Sequence, residues 1–252
     1  MKEKRLDLLR EYIKNNVSVS LEELKEKFEI SMNTVRRDVE ILLKEGSIKK
    51  VYGGVVLKDS QPVKPLSAYE ERENLNIKEK ELIGKKASEY IEENDIIFID
   101  SGTTTLQIIP FLKNKKNITV ISHSLPVINA LYKLDNIKVI ILPGILLRET
   151  ASFIGNISTE FLKPFNIKKS FMACNGISET RQITNATYEE FEIKKNIIKR
   201  SETVFLLADK EKFDNGGIMT FAEFADIDVL ITDYQKDERL LHLFFNTKID
   251  CV

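Results

Sequence analysis

Tryptophan is absent from the 252 residues, and cysteine and histidine occur only twice each. Cys174 and Cys251 lie far apart, neither has a second cysteine or a histidine at zinc-ligand spacing, and His123 and His242 are equally isolated. No metal site is expected, and the thiols read as buried or incidental. Long apolar runs are lacking too: stretches such as 139–142 fall far short of the roughly 20 residues a membrane span requires, so no transmembrane helix is expected. The opening MKEKRLDLLREYIKNN breaks every apolar step with charge and leaves no apolar core for a secretory signal. The expected location is the cytoplasm, with no membrane partner. Nor is one sign of charge in excess, since 38 Lys plus Arg stand against 39 Asp plus Glu. Spread evenly, that balance would discourage a nucleic-acid partner, because phosphate neutralisation supplies most non-specific DNA affinity. What the chain does have is 42% hydrophobic residues, which argues against disorder, and a length that suits one large domain or two smaller ones.

Distribution of charge matters more than its sum. Residues 1–56 carry 12 Lys plus Arg against 10 Asp plus Glu, too small an excess to argue from, but with two basic pairs, Arg36–Arg37 and Lys49–Lys50. Leu6, Leu9 and Ile13 recur at helical spacing and predict a first helix ending before the Asn15–Asn16 pair. Ser20 with Glu23 predicts a capping box ahead of a second apolar stripe, Leu21, Leu24 and Phe28. After a brief turn at Glu29 and Ile30, Ser31 is the expected N-cap of a third helix whose inward face is Val35, Val39 and Leu42 and which Gly46 closes. Three helices in so short a span suggest a helix-turn-helix.

At 3.6 residues per turn that inward face leaves Asn33, Arg37, Glu40 and Lys44 opposite, with Arg36 flanking them. Asn and Arg in the first turns supply the donors and acceptors that read adenine and guanine edges in a major groove. Glu40 has the wrong charge for phosphate, so only the first two turns are expected to approach DNA. Beyond Gly46, β-prone stretches at 48–51 and 55–57 bracket Tyr52, Gly53 and Gly54, the signal of a hairpin wing on which Lys49, Lys50 and Tyr52 are expected to meet phosphate or the minor groove. The bland alternative is a solvated face on a small protein-interaction domain. The pattern SxxTxRRDxxxLxxxGxIxxxxGG, carried by Ser31, Thr34, Arg36, Arg37, Asp38, Leu42, Gly46, Ile48, Gly53 and Gly54, resembles the DNA-binding signature of the DeoR family of bacterial transcription regulators.

Residues 58–67, with Pro62 and Pro65, lack helical periodicity and read as a tether. The expected organisation is a winged helix-turn-helix domain at 1–57, a linker at 58–71 and a larger α/β domain at 72–252. In that domain, strand-like runs at 96–100, 118–122, 137–142, 170–173, 204–208 and 229–232 alternate with helix-like stretches, which implies a mostly parallel sheet covered by helices. The segment IIFIDSGTTTLQIIPFL is the most informative. A buried strand ends at Asp100, and Ser101, Gly102, Thr103, Thr104 and Thr105 turn the chain into a helix, offering free amides and hydroxyls of the kind that hold phosphate without a metal. The lysine and the Gly-Lys-Ser/Thr ending of a Walker loop are missing, which argues against a nucleoside triphosphatase. Simple helix capping remains open as the other reading, and Pro110 predicts a short or kinked helix.

The array of Arg72, Asn76 and Lys80, then DSGTTT, then Ser122, His123 and Ser124, then NATYEEFEIKKNII and LADKEKF is similar to the sensor domain of the same family, related in fold to ribose 5-phosphate isomerase. That resemblance implies recognition of a phosphorylated sugar or its metabolite, with Ser101 to Thr105 on the phosphate and Asp100, Ser152, Glu190, Lys194 and Lys212 as candidates for the sugar hydroxyls and charge. The chain departs from the family at Pro143–Gly144, where many members have paired glycines, and at Lys210 and Glu211, where small hydroxyl residues are common. It departs from the related isomerases in carrying Asn175, Gly176, Ile177, Ser178 and Glu179 where they have a DGADE-like segment, and in lacking a glycine-rich segment around Lys194. Loss of the paired acids argues for binding without turnover. The expectation is a sequence-specific regulator, most simply a repressor of carbohydrate-metabolism genes, bound to double-stranded operator DNA as a homodimer or homotetramer, controlled by a sugar phosphate and needing no cofactor. An isomerase-like enzyme with a DNA-binding appendage is the alternative.

Overall fold

In the computed structural model, which describes residues 2–15, 19–51, 54–57, 69–179, 182–235 and 237–252, the first apolar stripe becomes α1 (Lys2–Asn15), with Leu6, Leu9 and Ile13 buried. Helix α2 (Leu21–Lys27) starts where the Ser20 hydroxyl accepts the Glu23 amide at 3.0 Å. The expected capping box is only half of the arrangement, because the Glu23 carboxylate accepts from the Tyr12 hydroxyl at 2.9 Å and so ties α2 to α1. Glu29 turns the chain in the left-handed conformation, φ 51°. Helix α3 (Met32–Lys44) is capped by Ser31 and buries Val35, Val39 and Leu42 as its spacing requires. Strands β1 (Ile48–Val51) and β2 (Gly54–Leu57) pair antiparallel, Ile48 against Leu57 and Val51 against Gly54. Val19 bonds Val55 in both directions at 3.0 Å, adding a third short edge to this wing. One apolar core, all from residues 6–55, holds these elements together. The Tyr52 expected on the wing lies outside the described residues, as do the side chains of Lys49 and Lys50.

The chain divides into two compact units, one built mainly from residues before Lys64 and the other mainly from those after Pro65. In the second, α4 (Tyr69–Glu73) and α5 (Ile77–Glu89) lead into β3 (Ile96–Ile99), α6 (Thr103–Leu106), β4 (Ile118–Ser122), α7 (Leu125–Leu131) and β5 (Ile137–Ile141). An arm of β6 (Ile145–Leu147) and β7 (Ser152–Ile154) follows, then α8 (Asn156–Leu162), β8 (Ile167–Ala173), β9 (Gly176–Ser178), β10 (Gln182–Asn185), α9 (Tyr188–Arg200) and β11 (Ser201–Leu207). Finally come β12 (Met219–Ala222), β13 (Val229–Thr232), α10 (Glu238–Leu243) and β14 (Lys248–Cys251). Seven strands form one sheet in the order β14-β13-β11-β8-β3-β4-β5, with every neighbouring pair parallel.

Such a sheet needs cover on both faces, and its strands alternate accordingly. Ile97, Ile99, Phe171, Phe205 and Ile231 pack with α5 and α7, while Phe98, Met172, Leu206 and Leu230 pack with α8, α9 and α10. All six strands expected from the sequence lie in this sheet; its seventh, edge strand β14, has only a half-apolar sequence and was not among them. Pro110 behaves as expected: α6 is a single turn, followed by a short 3-10 turn at Ile109–Leu112 that begins around the proline. Among the described residues no helix is long and apolar enough to cross a membrane.

The sheet order fixes where a ligand can sit. From β3 the chain winds outward through β4 and β5, and from β8 it winds the other way through β11, β13 and β14. Adjacent strands β3 and β8 therefore mark the topological switch point, where the loops at their carboxyl ends part and leave a crevice.

Candidate functional sites

On α3, Asn33, Arg36, Arg37, Glu40 and Lys44 are all exposed, on the side away from Val35, Val39 and Leu42. The Ser31 and Thr34 hydroxyls bond each other at 2.9 Å, and Ser31 also accepts the Thr34 amide at 3.3 Å, so both hydroxyls serve the helix start. Asp38, which the sequence pattern contains without explaining, is 1% exposed and takes a two-pronged contact from Arg5, Nε at 2.7 Å and Nη2 at 3.2 Å. That pair pins α1 against α3. Arg5, Asn33, Thr34, Arg37 and Asp38 together line a concavity of about 400 Å³. Lys49 and Lys50 occupy register positions on β1 opposite Val56 and Val55.

The second site is at the β3–β8 switch point. Asp100, fully buried just past β3, has each oxygen filled twice: Oδ1 accepts the Ser101 amide at 2.9 Å and His123 Nε2 at 3.1 Å, and Oδ2 accepts the Ala173 amide at 2.9 Å and the Lys194 ammonium. Burial pushes this carboxyl up, but the Lys194 charge and the His123 and Lys194 hydrogen bonds outweigh it and hold the group well below the usual carboxylate range. Lys194 also donates to the Ala173 carbonyl at 3.0 Å, whereas neighbouring Lys195 is exposed over the Phe191 ring. The helical register thus distinguishes two lysines that the sequence left side by side.

Above Asp100, Gly102 is required by contact. A Cβ there would lie 2.2 Å from the Ala173 Cβ at the end of β8. The Thr105 hydroxyl is committed within the loop, donating to the Asp100 and Gly102 carbonyls, both at 2.8 Å. Thr103 and Thr104 are buried at the start of α6, whose first amides have no earlier carbonyl to bond. Ser101 donates to Glu190 Oε1 at 2.6 Å, and Ser152, on β7, donates to the same oxygen at 3.1 Å. Thr150 bonds Ser152 at 2.7 Å.

A narrow cleft is lined by Arg72, Ser101, Gly102, Thr150, Ala173, Cys174, Asn175, Glu190 and Lys194. The sequence reading proposed Ser101, Gly102, Glu190 and Lys194 among these; it did not choose Thr150, Cys174 or Asn175 as ligand contacts, which come from segments far apart in the chain. Arg72 had entered only through the resemblance. Burial pushes the Cys174 thiol up to about 12, leaving it an inert wall. Lys80, 2% exposed, donates to the Arg72 carbonyl; burial pushes it down to about 8, with Lys212 and Arg72 adding to the effect and Asp209 opposing it. Lys212 is half-buried in the turn that Asp209 caps, within electrostatic reach of Lys80 and Cys174 but not on the cleft wall. Two cations, Arg72 and Lys194, line the crevice, with the Lys194 charge balanced by Asp100, and Lys80 and Lys212 lie behind them within electrostatic reach.

Two family models match the chain: the DeoR-like helix-turn-helix domain over residues 5–61 and the DeoR C terminal sensor domain over residues 75–234. The HTH-type transcriptional regulator IolR of Bacillus subtilis (strain 168) is 40% identical over 238 residues, 94% of each chain. The lactose phosphotransferase system repressor of Lactococcus lactis subsp. lactis is 33% identical over 96% of this chain and 95% of its own, and the glycerol-3-phosphate regulon repressor of Escherichia coli (strain K12) is 29% identical over 88% and 87%. Among solved structures, ribose 5 phosphate isomerase A from Neisseria gonorrhoeae aligns over 54% of this chain and 53% of its own at 19% identity and a TM-score of 0.40, a likeness too slight to bear on activity. With both family models in place and relatives matched nearly end to end, the chain belongs to the DeoR family of DNA-binding transcription regulators.

Proposed function

We propose that this protein is a repressor of carbohydrate-metabolism genes whose second domain binds a phosphorylated sugar or related metabolite and thereby changes the affinity of the first for its operator. We place the domains at 1–57 and 72–252 with 58–71 as the joining segment, whose last residues already begin α4 of the second unit. The observation that carries the reading is the switch-point cleft, where Arg72 and Lys194 stand beside the Ser101–Gly102 turn, in a chain that also presents Asn33, Arg36 and Arg37 on an exposed helix. Relatives named as repressors of a lactose phosphotransferase system and a glycerol-3-phosphate regulon support both halves. Catalysis is disfavoured, because Asp100 has no acceptor site left for a substrate proton and Asn175, not an acid, lines the cleft. Operators with two-fold half-sites require at least a homodimer.

The test is fluorescence anisotropy on the DNA upstream of the protein's own gene, with and without a panel of phosphorylated sugars. One member should shift operator affinity, and the operator should shift that member's affinity by the same factor, as linkage demands. Arg37→Ala should lower operator binding by about 1–3 kcal/mol and random-DNA binding by less. A panel with no effect on DNA binding overturns the sensor reading, and equal losses on both DNAs remove Arg37 from base reading.

A further inference from the structure

Ser101 opens the turn to which the proposed function assigns the effector's phosphate, yet its hydroxyl already has an anionic partner. Glu190 Oε1 accepts from Ser101 and from Ser152, the residue is 3% exposed, and the Arg72 guanidinium lies within its electrostatic field. Hydroxyl donors and a guanidinium around a carboxylate are what a protein uses to hold an external anion. Here the anion belongs to the chain. The free volume left in the cleft is about 20 Å³, enough for roughly one water molecule. A phosphoryl group brings three oxygens, each about the size of a water, and does not fit beside the carboxylate.

We propose that Glu190 is a built-in competitor: its carboxylate occupies the position taken by the effector's phosphate, so that the effector binds by displacing this side chain. The inference rests on the sensor reading above and specifies how that site is governed. Glu190 lies in the first turn of α9, and Lys194, one turn further along, is anchored to Asp100. The helix therefore stays in place while a change of Glu190 rotamer opens the site. A resident monoanion sets a threshold: the apparent affinity of any ligand falls by the fraction of molecules whose site is open. A phosphate dianion exceeds that threshold more readily than a singly charged carboxylate, and an uncharged sugar does not replace the lost electrostatic attraction to Arg72. Competition thus selects phosphorylated ligands over their unphosphorylated parents.

The sequence resemblance places Glu190 on the effector's hydroxyls, which predicts the opposite response to substitution. Isothermal titration of the full-length protein with inorganic phosphate separates the two, using wild type, Glu190→Ala and Glu190→Gln, each first checked for an intact thermal transition. Glu190→Ala is expected to bind phosphate at least tenfold more tightly than wild type. Glu190→Gln, which keeps the shape and an acceptor oxygen without the charge, is expected to tighten about threefold, and it decides the matter if the alanine variant does not fold. Unchanged or weaker phosphate binding in the folded variants overturns the competitor while leaving the sensor reading intact. If wild type and variants bind neither inorganic phosphate nor any phosphorylated sugar of the panel, the sensor reading fails and the competitor with it.

Discussion

Asp100 is a buried carboxylate whose four acceptor sites are all filled by the protein, and one of those donors is an equally buried ammonium, Lys194. Its work is therefore positional: it fixes the Ser101 amide, the end of β8 and the first turns of α9 in one arrangement. Asp100→Asn leaves Lys194 without its counter-charge and is expected to destabilise the second unit by about 3–5 kcal/mol in urea unfolding. A loss under 1 kcal/mol would mean that Lys194 finds another partner. The sign of the pH dependence follows from the lowered carboxyl. Its contribution is complete above the unfolded-state pKa of about 3.9 and is lost as acid titrates the folded group, so wild type should lose its advantage over Asp100→Asn below about pH 4. Little of this was visible beforehand. The contiguous Ser-Gly-Thr turn stood out, but a sequence does not show that Thr105 spends its hydroxyl on the loop, that Lys194 and not Lys195 faces inward, or that Arg72, Thr150 and Asn175 converge on the turn from other segments.

Among elements, α3 was the most legible because each of its local signals agrees with its packing. Ser31 caps it, three aliphatic residues at helical spacing fill its inner face, and Gly46 ends it at φ 72° with the paired bonds of a Schellman motif, Gly46 to Leu43 at 3.1 Å and Ser47 to Leu42 at 3.2 Å. Gly46→Ala forces a Cβ into the left-handed region and should destabilise the first unit by about 1–2 kcal/mol, read as a lowered melting temperature; an unshifted transition would show that the turn can rearrange. The five inner strands were legible as largely apolar runs, which burial on both faces requires, and β5, at an edge, was legible despite Lys138 because the rest of its run is aliphatic. Strands β6, β7, β9 and β10 are three or four residues long, too short for alternation to register, and β14 has only one aliphatic residue, Ile249. Asp38 is a different case: a carboxylate in a basic stretch looks like a surface charge until Arg5, 33 residues upstream, is folded against it.

For the whole molecule, the apolar core of residues 6–55 shares no member with the two cores on the faces of the large sheet. Separate cores are separate cooperative units. Scanning calorimetry should show two transitions, with Gly46→Ala lowering only the smaller and Asp100→Asn only the larger. A single transition lowered by both variants would mean that the two units melt as one.

On the ribosome, the same layout sets an order of events. The apolar core of the first unit draws only on residues 6–55, whereas the parallel sheet waits for its edge strand at residues 248–251. At typical synthesis rates of about 5–20 residues per second, that gap lasts roughly 10–40 s. For that interval each nascent chain carries a finished first core ahead of an unfinished sheet, so the first unit must fold, and stay folded, without help from the second.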